Sequence, residues 1–322
     1  LFEIDRQLGA SFRSVQRRAV LHDVVDAERT LQLVTDLRPD VVFHAAAHKH
    51  VPLMEDHPSH AVTNNFFGTK SSADAALASG ADRFVLISSD KAVNPTSVMG
   101  ATKRLAEIYV QALHGRTHAQ APGRTRFSMV RFGNVLGSSC SVVPIWSAQL
   151  VDGGPLTVTD TRMTRYFMTI HEAAGLVIQA AAIDNPTSVA PVYVLDMGNP
   201  IRIIDLATRF LAAHGYSPRL IDREGNLVLD PESANPRSPR AGQTMDIVVS
   251  GIRPGEKLHE ELAYAAENLR PTSHAGIDAW AGSPAEVDLQ AFVAELSRVR
   301  HSTTHEAVVA TIRRLVPEMS RT

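Results

Sequence analysis

The sequence has few of the features that place a protein in a specialised class. Its 322 residues include a single cysteine, Cys140, which excludes an intramolecular disulfide framework and fits a reducing compartment. No apolar run approaches the roughly 18 residues that a membrane span needs, so we expect membrane contact only through segments outside this sequence. Neither sign of charge dominates, because 32 basic and 34 acidic residues give a net charge of -2, and no nucleic-acid partner is expected. The 44% apolar and 20% charged composition is typical of a globular protein with a sizeable core.

Apolar segments alternate with helix-like segments through the first 135 residues. The pattern predicts a helix over residues 1–8, strands over 19–24, 40–47, 83–89 and 126–132, and helices over 26–39, 59–78 and 99–113. Strands that are apolar on both faces are typical of a parallel sheet covered by helices on both sides. We therefore predict an α/β fold, a doubly wound parallel sheet with a smaller, interleaved second region.

Changes in composition divide the rest of the chain. The alternation stops after Gly133, but a predicted helix over 171–182 and strand over 191–196 indicate a return to the first unit. Residues 222–243 are polar and Pro-rich and are expected to form a loop insertion. Two capping-box patterns, at 283–286 and 303–306, predict the starts of two terminal helices. The predicted units are 1–135 with 166–198 returning to it, a substrate-binding region of 136–165 and 199–275, and a C-terminal helical tail of 276–322.

Polar residues follow the third predicted strand. Asp90 and Lys91 lie where doubly wound folds place reactive groups, and an adjacent carboxylate and amine can act as acid and base. The dipeptide alone favours a solvated ion pair in a loop. Met99 and Lys103 share one face of the following helix, but their spacing alone predicts a core residue and a surface residue.

Several motifs occur in a fixed order, at residues 44–55, 89–95, 99–103 and 131–138, followed by 164–169 and 251–258. In this order they resemble the extended short-chain dehydrogenase/reductase family, and within it the CapD-like nucleotide-sugar 4,6-dehydratases of polysaccharide biosynthesis. The resemblance extends to about residue 275. It implies an NAD-binding fold of the Rossmann type.

The resemblance also implies a reaction. A UDP-N-acetylhexosamine, above all UDP-N-acetylglucosamine, would be dehydrated to a 4-keto-6-deoxy sugar nucleotide with a tightly bound, recycled NAD rather than NADP. Lys91 would then be the base at C5, Asp90 the acid that protonates the departing C6 hydroxyl, and Ser89 a hydrogen-bonding partner near the reacting oxygens. Met99 stands at the usual Tyr position and has no ionisable proton, so that role must move elsewhere. A Met here is similar to the long, membrane-anchored branch, which implies retention of configuration at C5.

The resemblance further assigns binding residues. The alanines of the cofactor set would form a backbone wall, Asn64 would support the active-site backbone, and Lys103 would hold the nicotinamide ribose. The cofactor set comprises Asp23, Val24, Ala45, Ala46, Ala47, Asn64 and Lys103. The substrate set would meet the sugar or the diphosphate, because Arg and Lys pair well with phosphate oxygens. It comprises Lys49, His50, Asn134, Arg165, Arg253 and Lys257. Taken singly, each residue would be interpreted as a packing, capping or surface residue.

Two departures from the family pattern concern the backbone. Cys140 stands where the family usually has a Gly, so an unusual backbone angle there would be strained. No Gly-rich phosphate turn precedes Asp23, and the first two strands of the fold are expected to be missing, which predicts an N-terminally truncated or degenerate member.

No metal is expected, because no Cys or carboxylate spacing completes a site with the nearby histidines His44, His48, His50, His57 and His60.

Three functions stay open at this point. The first is a 4,6-dehydratase that supplies surface glycans, and the second is a nucleotide-sugar epimerase of related chemistry. The third is a catalytically inactive fragment without the cofactor cradle. We expect a UDP-sugar and further copies of the chain as partners. The expected location is the cytoplasm, or the cytoplasmic face of the inner membrane if an upstream anchor exists.

Overall fold

A computed structural model describes residues 1–120, 125–184, 189–228, 243–263, 269–280, 282 and 286–319. Its strands are β1 Val41–His44, β2 Arg83–Ile87, β3 Arg126–Arg131, β4 Asn134–Val135, β5 Leu156–Val158, β6 Thr164–Arg165, β7 Phe167–Met168, β8 Val192–Leu195, β9 Ile201–Arg202, β10 Ser217–Ile221, β11 Thr244–Val249, β12 Leu269–Pro271 and β13 Ile277–Trp280. Its α-helices are α1 Phe2–Ser11, α2 Ala27–Leu37, α3 Val51–Asp56, α4 Pro58–Ala61, α5 Gly68–Ser79, α6 Val98–Gln120, α7 Val142–Val151, α8 Ile170–Ala182, α9 Ile203–Ala213, α10 Leu289–Val299 and α11 His305–Leu315.

A six-stranded sheet in the order β1-β2-β3-β8-β13-β12 forms the centre of the fold. The strands from β1 to β8 pair in parallel, and β13 and β12 complete the sheet in antiparallel orientation. Apolar residues of the inner strands, such as Val85 and Leu86 in β2, are buried on both faces. Helices α4 to α6 cover one face and α8 covers the other. The prediction of a doubly wound, mostly parallel α/β sheet is therefore confirmed.

The strand predicted over residues 19–24 is wrong. These residues form a loop and a turn in which Asp23 Oδ1 accepts a hydrogen bond from the backbone N–H of Val25 at 3.0 Å, and Leu21 is 93% exposed. A strand needs a neighbour to satisfy its backbone groups. Within the part of the chain that the structure describes, β1 has β2 as its sheet partner and no strand pairs with residues 19–24.

The helix predicted over residues 59–78 forms, but its hydrogen bonding changes along its length. Helix α4 continues into a π-helical turn, Val62–Phe67, and then into α5. Gly80 ends the helix with φ +75°, a left-handed conformation that suits Gly. The π turn is wider than an α-helical turn and changes which side chains face the neighbouring loop.

The C-terminal helices pack into the core of the central unit. Phe292 and Leu296 of α10 and Ile312 of α11 are buried in the same apolar cluster as Leu105 of α6. The predicted helix starts are wrong in detail. Helix α10 begins at Leu289 after the cap Asp288, whereas residues 283–285 of the first capping box lie outside the described residues. Helix α11 follows Thr304, whose side chain makes no capping hydrogen bond.

A second region stands beside the sheet. Its parallel three-stranded sheet, β10-β11-β5, packs with α7 and α9 around the fully buried Trp146. The pairs β4–β7 and β6–β9 connect this region to the central unit. Strand β13 belongs to the central sheet, although the predicted boundaries placed residues 277–280 in the tail. Residues 229–242 of the predicted insertion lie outside the described residues. Among the described residues, no helix has the length and apolar character to span a membrane.

Candidate active site

A cavity of about 830 Å³ opens where strands β1, β2 and β3 end, between the central unit and the second region. Most of the residues singled out in the sequence line it. These are Ala45, Ala47, Lys49, His50, Ser89, Lys91, Met99, Lys103, Asn134, Arg165, Arg253 and Lys257. Motifs that are far apart along the chain therefore meet at one cavity.

The turn after β2 carries the reactive side chains. The backbone N–H groups of Ser88 and Asp90 donate to the carbonyls of Val130 and Phe132, at 2.8 and 3.1 Å, so the turn is fixed to the end of β3. Residues Asp90–Ala92 form a 3₁₀ turn that begins with Ser89, whose Oγ accepts from the N–H of Lys91 at 3.2 Å. The turn presents Ser89 and Lys91 to the cavity.

Asp90 lies behind the cavity wall. Its side chain is fully buried, and Oδ1 accepts hydrogen bonds from Ser89 Oγ at 2.8 Å and from Lys91 Nζ at 3.0 Å. Its Oδ2 atom has no hydrogen-bond partner among the described residues. Because Asp90 is not itself a wall residue, contact between its carboxyl group and a ligand would run through the Ser89 hydroxyl.

A second carboxylate, Glu260, faces the same lysine. Its Oε1 lies 3.3 Å from Lys91 Nζ and 3.7 Å from Arg165 Nε. Burial acts to lower the pKa of Lys91, but the Asp90 and Glu260 carboxylates outweigh it, and the pKa of Lys91 is raised above its ordinary value. Sequence analysis missed Glu260, which follows the 251–258 motif by two residues and carries no spacing signal of its own.

Helix α6 brings Met99 and Lys103 to the cavity. Lys103 Nζ donates to the carbonyl oxygen of Ile87 at 2.5 Å. Burial lowers the pKa of Lys103 to about 8, against the opposing effect of the Glu107 carboxylate. Met99 is buried, and its thioether adds an apolar surface without an ionisable proton. The helix packs closely on the reactive turn at Gly100, where a Cβ atom would lie 2.1 Å from the carbonyl oxygen of Lys91.

A buried ion-pair network contacts the start of this turn at Ser88. Glu107 Oε1 accepts from Arg131 Nε at 2.9 Å and from Ser88 Oγ at 2.6 Å, and Oε2 accepts from Arg131 at 2.8 Å. Burial acts to raise the pKa of Glu107, but the Arg131 and Arg104 guanidinium groups and the Ser88 hydroxyl lower it to about 2. Arg104 also pairs with Glu318 near the end of the described chain, at 2.8 Å. The network joins α6, β3 and the end of β2.

The residues expected to bind the cofactor do not all reach the cavity. Ala45, Ala47 and Lys103 line it, whereas Asp23, Val24, Ala46 and Asn64 do not. The support expected from Asn64 comes from its neighbour, because the π turn directs Asn65 inward. Asn65 Oδ1 accepts from the N–H of His48 at 2.7 Å, and its Nδ2 donates to the His48 carbonyl at 3.0 Å. Asn64 contacts Asn65 instead, at 3.2 Å.

The residues expected to bind the substrate lie at several places around the cavity. Lys49 Nζ donates to the carbonyl of Ser139 at 2.7 Å, and Lys257 Nζ donates to that of Val93 at 2.8 Å. The exposed Arg253 pairs with Glu256 at 2.8 Å. Arg223 also lines the cavity, and sequence analysis missed it. Cations outnumber carboxylates among the wall residues, seven to two, which favours an anionic ligand.

Cys140 occupies the loop beside Lys49. Its φ of +54° lies in the left-handed region, which disfavours residues other than Gly. The expected backbone angle is therefore present, and Cys140 adopts it at the exposed edge of the cavity.

In the described part of the chain, no group of three or more His, Cys, Asp and Glu residues could hold a metal ion. His48 and His60 form a stacked pair, with their Nε2 atoms 3.1 Å apart.

Comparison with known proteins identifies related sequences. A family model described as polysaccharide biosynthesis protein matches residues 1–280. The chain is 47% identical over 258 residues to the probable polysaccharide biosynthesis protein EpsC of Bacillus subtilis, and 43% identical over 263 residues to the capsular polysaccharide biosynthesis protein CapD of Staphylococcus aureus. These alignments cover 79% and 81% of this chain but 38% and 39% of the relatives, so the chain spans about two fifths of their length.

Two more distant relatives have named activities. A UDP-N-acetylglucosamine 4,6-dehydratase (inverting) of Campylobacter jejuni is 30% identical over 272 residues, which cover 81% of this chain and 69% of that protein. A UDP-glucose 4-epimerase of Rickettsia typhi is 32% identical over 182 residues, which cover 56% and 52%.

Solved structures agree with the fold. The structure of Pen from Bacillus thuringiensis matches with a TM-score of 0.68 at 29% identity, over 87% of this chain and 76% of that one. DesIV of Streptomyces venezuelae, a dTDP-glucose 4,6-dehydratase solved with NAD, matches in fold with a TM-score of 0.58 at 17% identity, over 92% and 83%. The resemblance deduced from the motifs is confirmed. The chain therefore belongs to the polysaccharide biosynthesis protein family, and its relatives include a nucleotide-sugar dehydratase and a nucleotide-sugar epimerase.

Proposed function

We propose that the protein dehydrates a UDP-N-acetylhexosamine, specifically UDP-N-acetylglucosamine, to its 4-keto-6-deoxy derivative for surface polysaccharide synthesis. The observation that carries this proposal is the contact between Lys91 Nζ and Asp90 Oδ1, at 3.0 Å, on a turn at the cavity wall. Elimination of water needs a base at C5 and an acid at C6, whereas epimerisation at C4 needs neither of these groups. A paired amine and carboxyl group therefore favours dehydration.

Each residue of the turn has a distinct task in this proposal. Lys91, as the free amine, takes the proton from C5 of the sugar. Asp90, when protonated, passes its proton to the Ser89 hydroxyl while Ser89 gives its own proton to the departing C6 hydroxyl, so that water leaves. The fully buried position of Asp90 and the 2.8 Å hydrogen bond that Ser89 Oγ donates to its Oδ1 support this relay, in which that hydrogen bond reverses direction once Asp90 is protonated.

The wall residues fit the nicotinamide half of NAD. Ala45 and Ala47 have small side chains that leave room for a planar ring, and Lys103 Nζ can donate to ribose hydroxyl groups. When bound, NAD would supply the hydride acceptor at C4 and the hydride donor at C6. The described residues include no Gly-rich phosphate turn, so the fit extends to this half of the cofactor.

The cationic wall suits the diphosphate of the substrate. Arg253 and Lys257 line the cavity, and so does Lys49, whose Nζ donates to the carbonyl of Ser139 beside Cys140. Guanidinium and ammonium groups bind phosphate oxygens with charge-assisted hydrogen bonds. Self-association and a cytoplasmic location stay predictions.

The test is turnover of UDP-N-acetylglucosamine by the native protein in deuterated water, with the product identified by mass spectrometry and NMR. We expect loss of one water, a keto group at C4, a methyl group at C6 and deuterium at C5. Retention of the C6 hydroxyl with inversion at C4 would instead identify an epimerase, as in the Rickettsia relative. Recovery of unchanged, unlabelled substrate would favour an inactive protein.

A further inference from the structure

Glu260 is held at the candidate active site by the strand that carries Arg165. The backbone N–H of Thr164 in β6 donates to the carbonyl of Leu258 at 3.0 Å, and Thr164 Oγ1 contacts His259 Nδ1 at 2.9 Å. Arg165 Nη2 donates to the carbonyl of Lys257 at 2.9 Å. The segment that ends in Glu260 is therefore fixed over β6, and its carboxyl group has little freedom to move.

The charges around Lys91 come from three elements. Asp90 lies on the same turn, Glu260 comes from the segment beside β6, and Arg165 comes from β6 itself. Glu260 Oε1 lies between the two cations, 3.3 Å from Lys91 Nζ and 3.7 Å from Arg165 Nε. The Glu260 side chain is 3% exposed, and its Oε2 atom has no hydrogen-bond partner among the described residues.

A buried carboxylate with one oxygen that lacks a hydrogen bond lowers the free energy of unfolding unless neighbouring charges compensate for it. Packing alone does not require a charge at this position. The charge does match the two cations, and it keeps the flexible Lys91 side chain at one place on the cavity wall.

We propose that Glu260 is a positioning residue that holds the Lys91 ammonium beside the Arg165 guanidinium and thereby sets the charge and place of Lys91. This inference rests on the function proposed above, in which Lys91 acts at C5. Glu260 acts through Lys91 and does not itself react with the sugar.

The experiment compares three variants of the native protein. Glu260→Gln keeps the size of the side chain and removes its charge, and Glu260→Asp keeps the charge. Glu295→Gln is the matched control, because it makes the same charge change on a side chain that is 30% exposed, pairs with Arg314 and does not line the cavity. Circular dichroism and thermal unfolding establish that each variant is folded.

The first readout is the pH profile of deuterium exchange at C5. An opposite charge within about 4–6 Å shifts a pKa by about 1 to 3 units, so the exchange rate of Glu260→Gln should level off at a pH lower by that amount. Glu260→Asp should return the profile toward that of the native protein, and Glu295→Gln should leave it unchanged. A folded Glu260→Gln variant with the native profile would overturn the proposal.

The second readout does not depend on turnover. Acetic anhydride reacts with the free amine, so acetylation of Lys91 at a fixed pH, followed by mass spectrometry of its peptide, reports the fraction of unprotonated lysine. We expect Lys91 of Glu260→Gln to be acetylated about 10-fold to 1,000-fold faster. A pKa lowered by about 1 to 3 units raises the fraction of free amine by that factor. If the native protein does not dehydrate the sugar, the proposed function fails while this readout still decides the role of Glu260. Equal acetylation rates in the native protein and Glu260→Gln would then refute that role.

Discussion

Replacing Gly100 with Ala tests whether close packing of α6 on the reactive turn positions Lys91. The added Cβ atom would lie 2.1 Å from the backbone carbonyl oxygen of Lys91, and ordinary contacts begin at 3.4 Å. The turn would therefore have to retreat by about 1.3 Å, or α6 would have to move by the same amount. Neither is a flexible side-chain end, so the strain must enter the backbone of the site.

The expected magnitudes follow from this displacement. Overpacking a tight contact costs about 1–3 kcal/mol of the free energy of unfolding. A shift of about 1 Å in a catalytic group can lower the rate about 100-fold. We therefore expect Gly100→Ala to lower the midpoint of urea unfolding and to reduce kcat for dehydration about 100-fold.

A matched substitution on another helix controls for the change from Gly to Ala. At Gly175 in α8, no atom lies within 4 Å of an added Cβ, so Gly175→Ala should raise helix stability by about 0.5–1 kcal/mol and leave kcat unchanged. The assays are urea unfolding followed by circular dichroism and turnover of UDP-N-acetylglucosamine. Native stability and turnover in Gly100→Ala would refute the argument that this contact positions the turn.

Two further substitutions probe the backbone and the buried ion pair. Cys140→Gly should raise the free energy of unfolding by about 0.5–1 kcal/mol, because the φ of +54° costs less for Gly. The Tm should rise with it, and a lower Tm would contradict this expectation. Glu107→Gln should lower the free energy of unfolding at pH 7 by about 3–5 kcal/mol, since the buried ion pair between Glu107 and Arg131 would lose its negative charge. The native pKa of about 2 lies below the ordinary 4.5, so the stabilisation by Glu107 is present above pH 4.5 and is lost as the pH falls toward 2. Urea unfolding across this range should show a smaller loss of stability in Glu107→Gln, and identical curves would contradict the assignment.

Much of the central sheet could be predicted because its strands are buried on both faces. The segments around Phe84 and Met129 are apolar along their length, and their partners are also strands of this chain. Residues 19–24, of which four are apolar, have a similar local pattern, but no described strand pairs with them. A strand depends on its neighbour as much as on its own residues, and a single segment of sequence does not contain that information.

The candidate site could be predicted where local order determined it. Ser89 and Lys91 follow directly from the end of β2, and the helical spacing places Met99 and Lys103 together on α6. Side chains that meet only in three dimensions were missed. Glu260 reaches Lys91 from a distant segment through the pairing of that segment with β6.

One residue was assigned to the wrong neighbour for a local reason. Asn64 was expected to support the active-site backbone, but the π turn in this helix gives that task to Asn65. An α-helical pattern cannot anticipate the wider turn, because the same residues are compatible with either hydrogen-bond spacing.

The most direct test of the central claim is the rate of deuterium incorporation at C5 of the sugar by Lys91→Met. Lys70→Met on α5 is the control, since Lys70 pairs with Asp74 on the same helix and does not line the cavity. General base catalysis contributes about 10²–10⁴-fold, so Lys91→Met should lose exchange by at least the lower figure while Lys70→Met retains it. A folded Lys91→Met variant that still incorporates deuterium at C5 at the native rate would contradict the assignment of this turn as the acid–base centre.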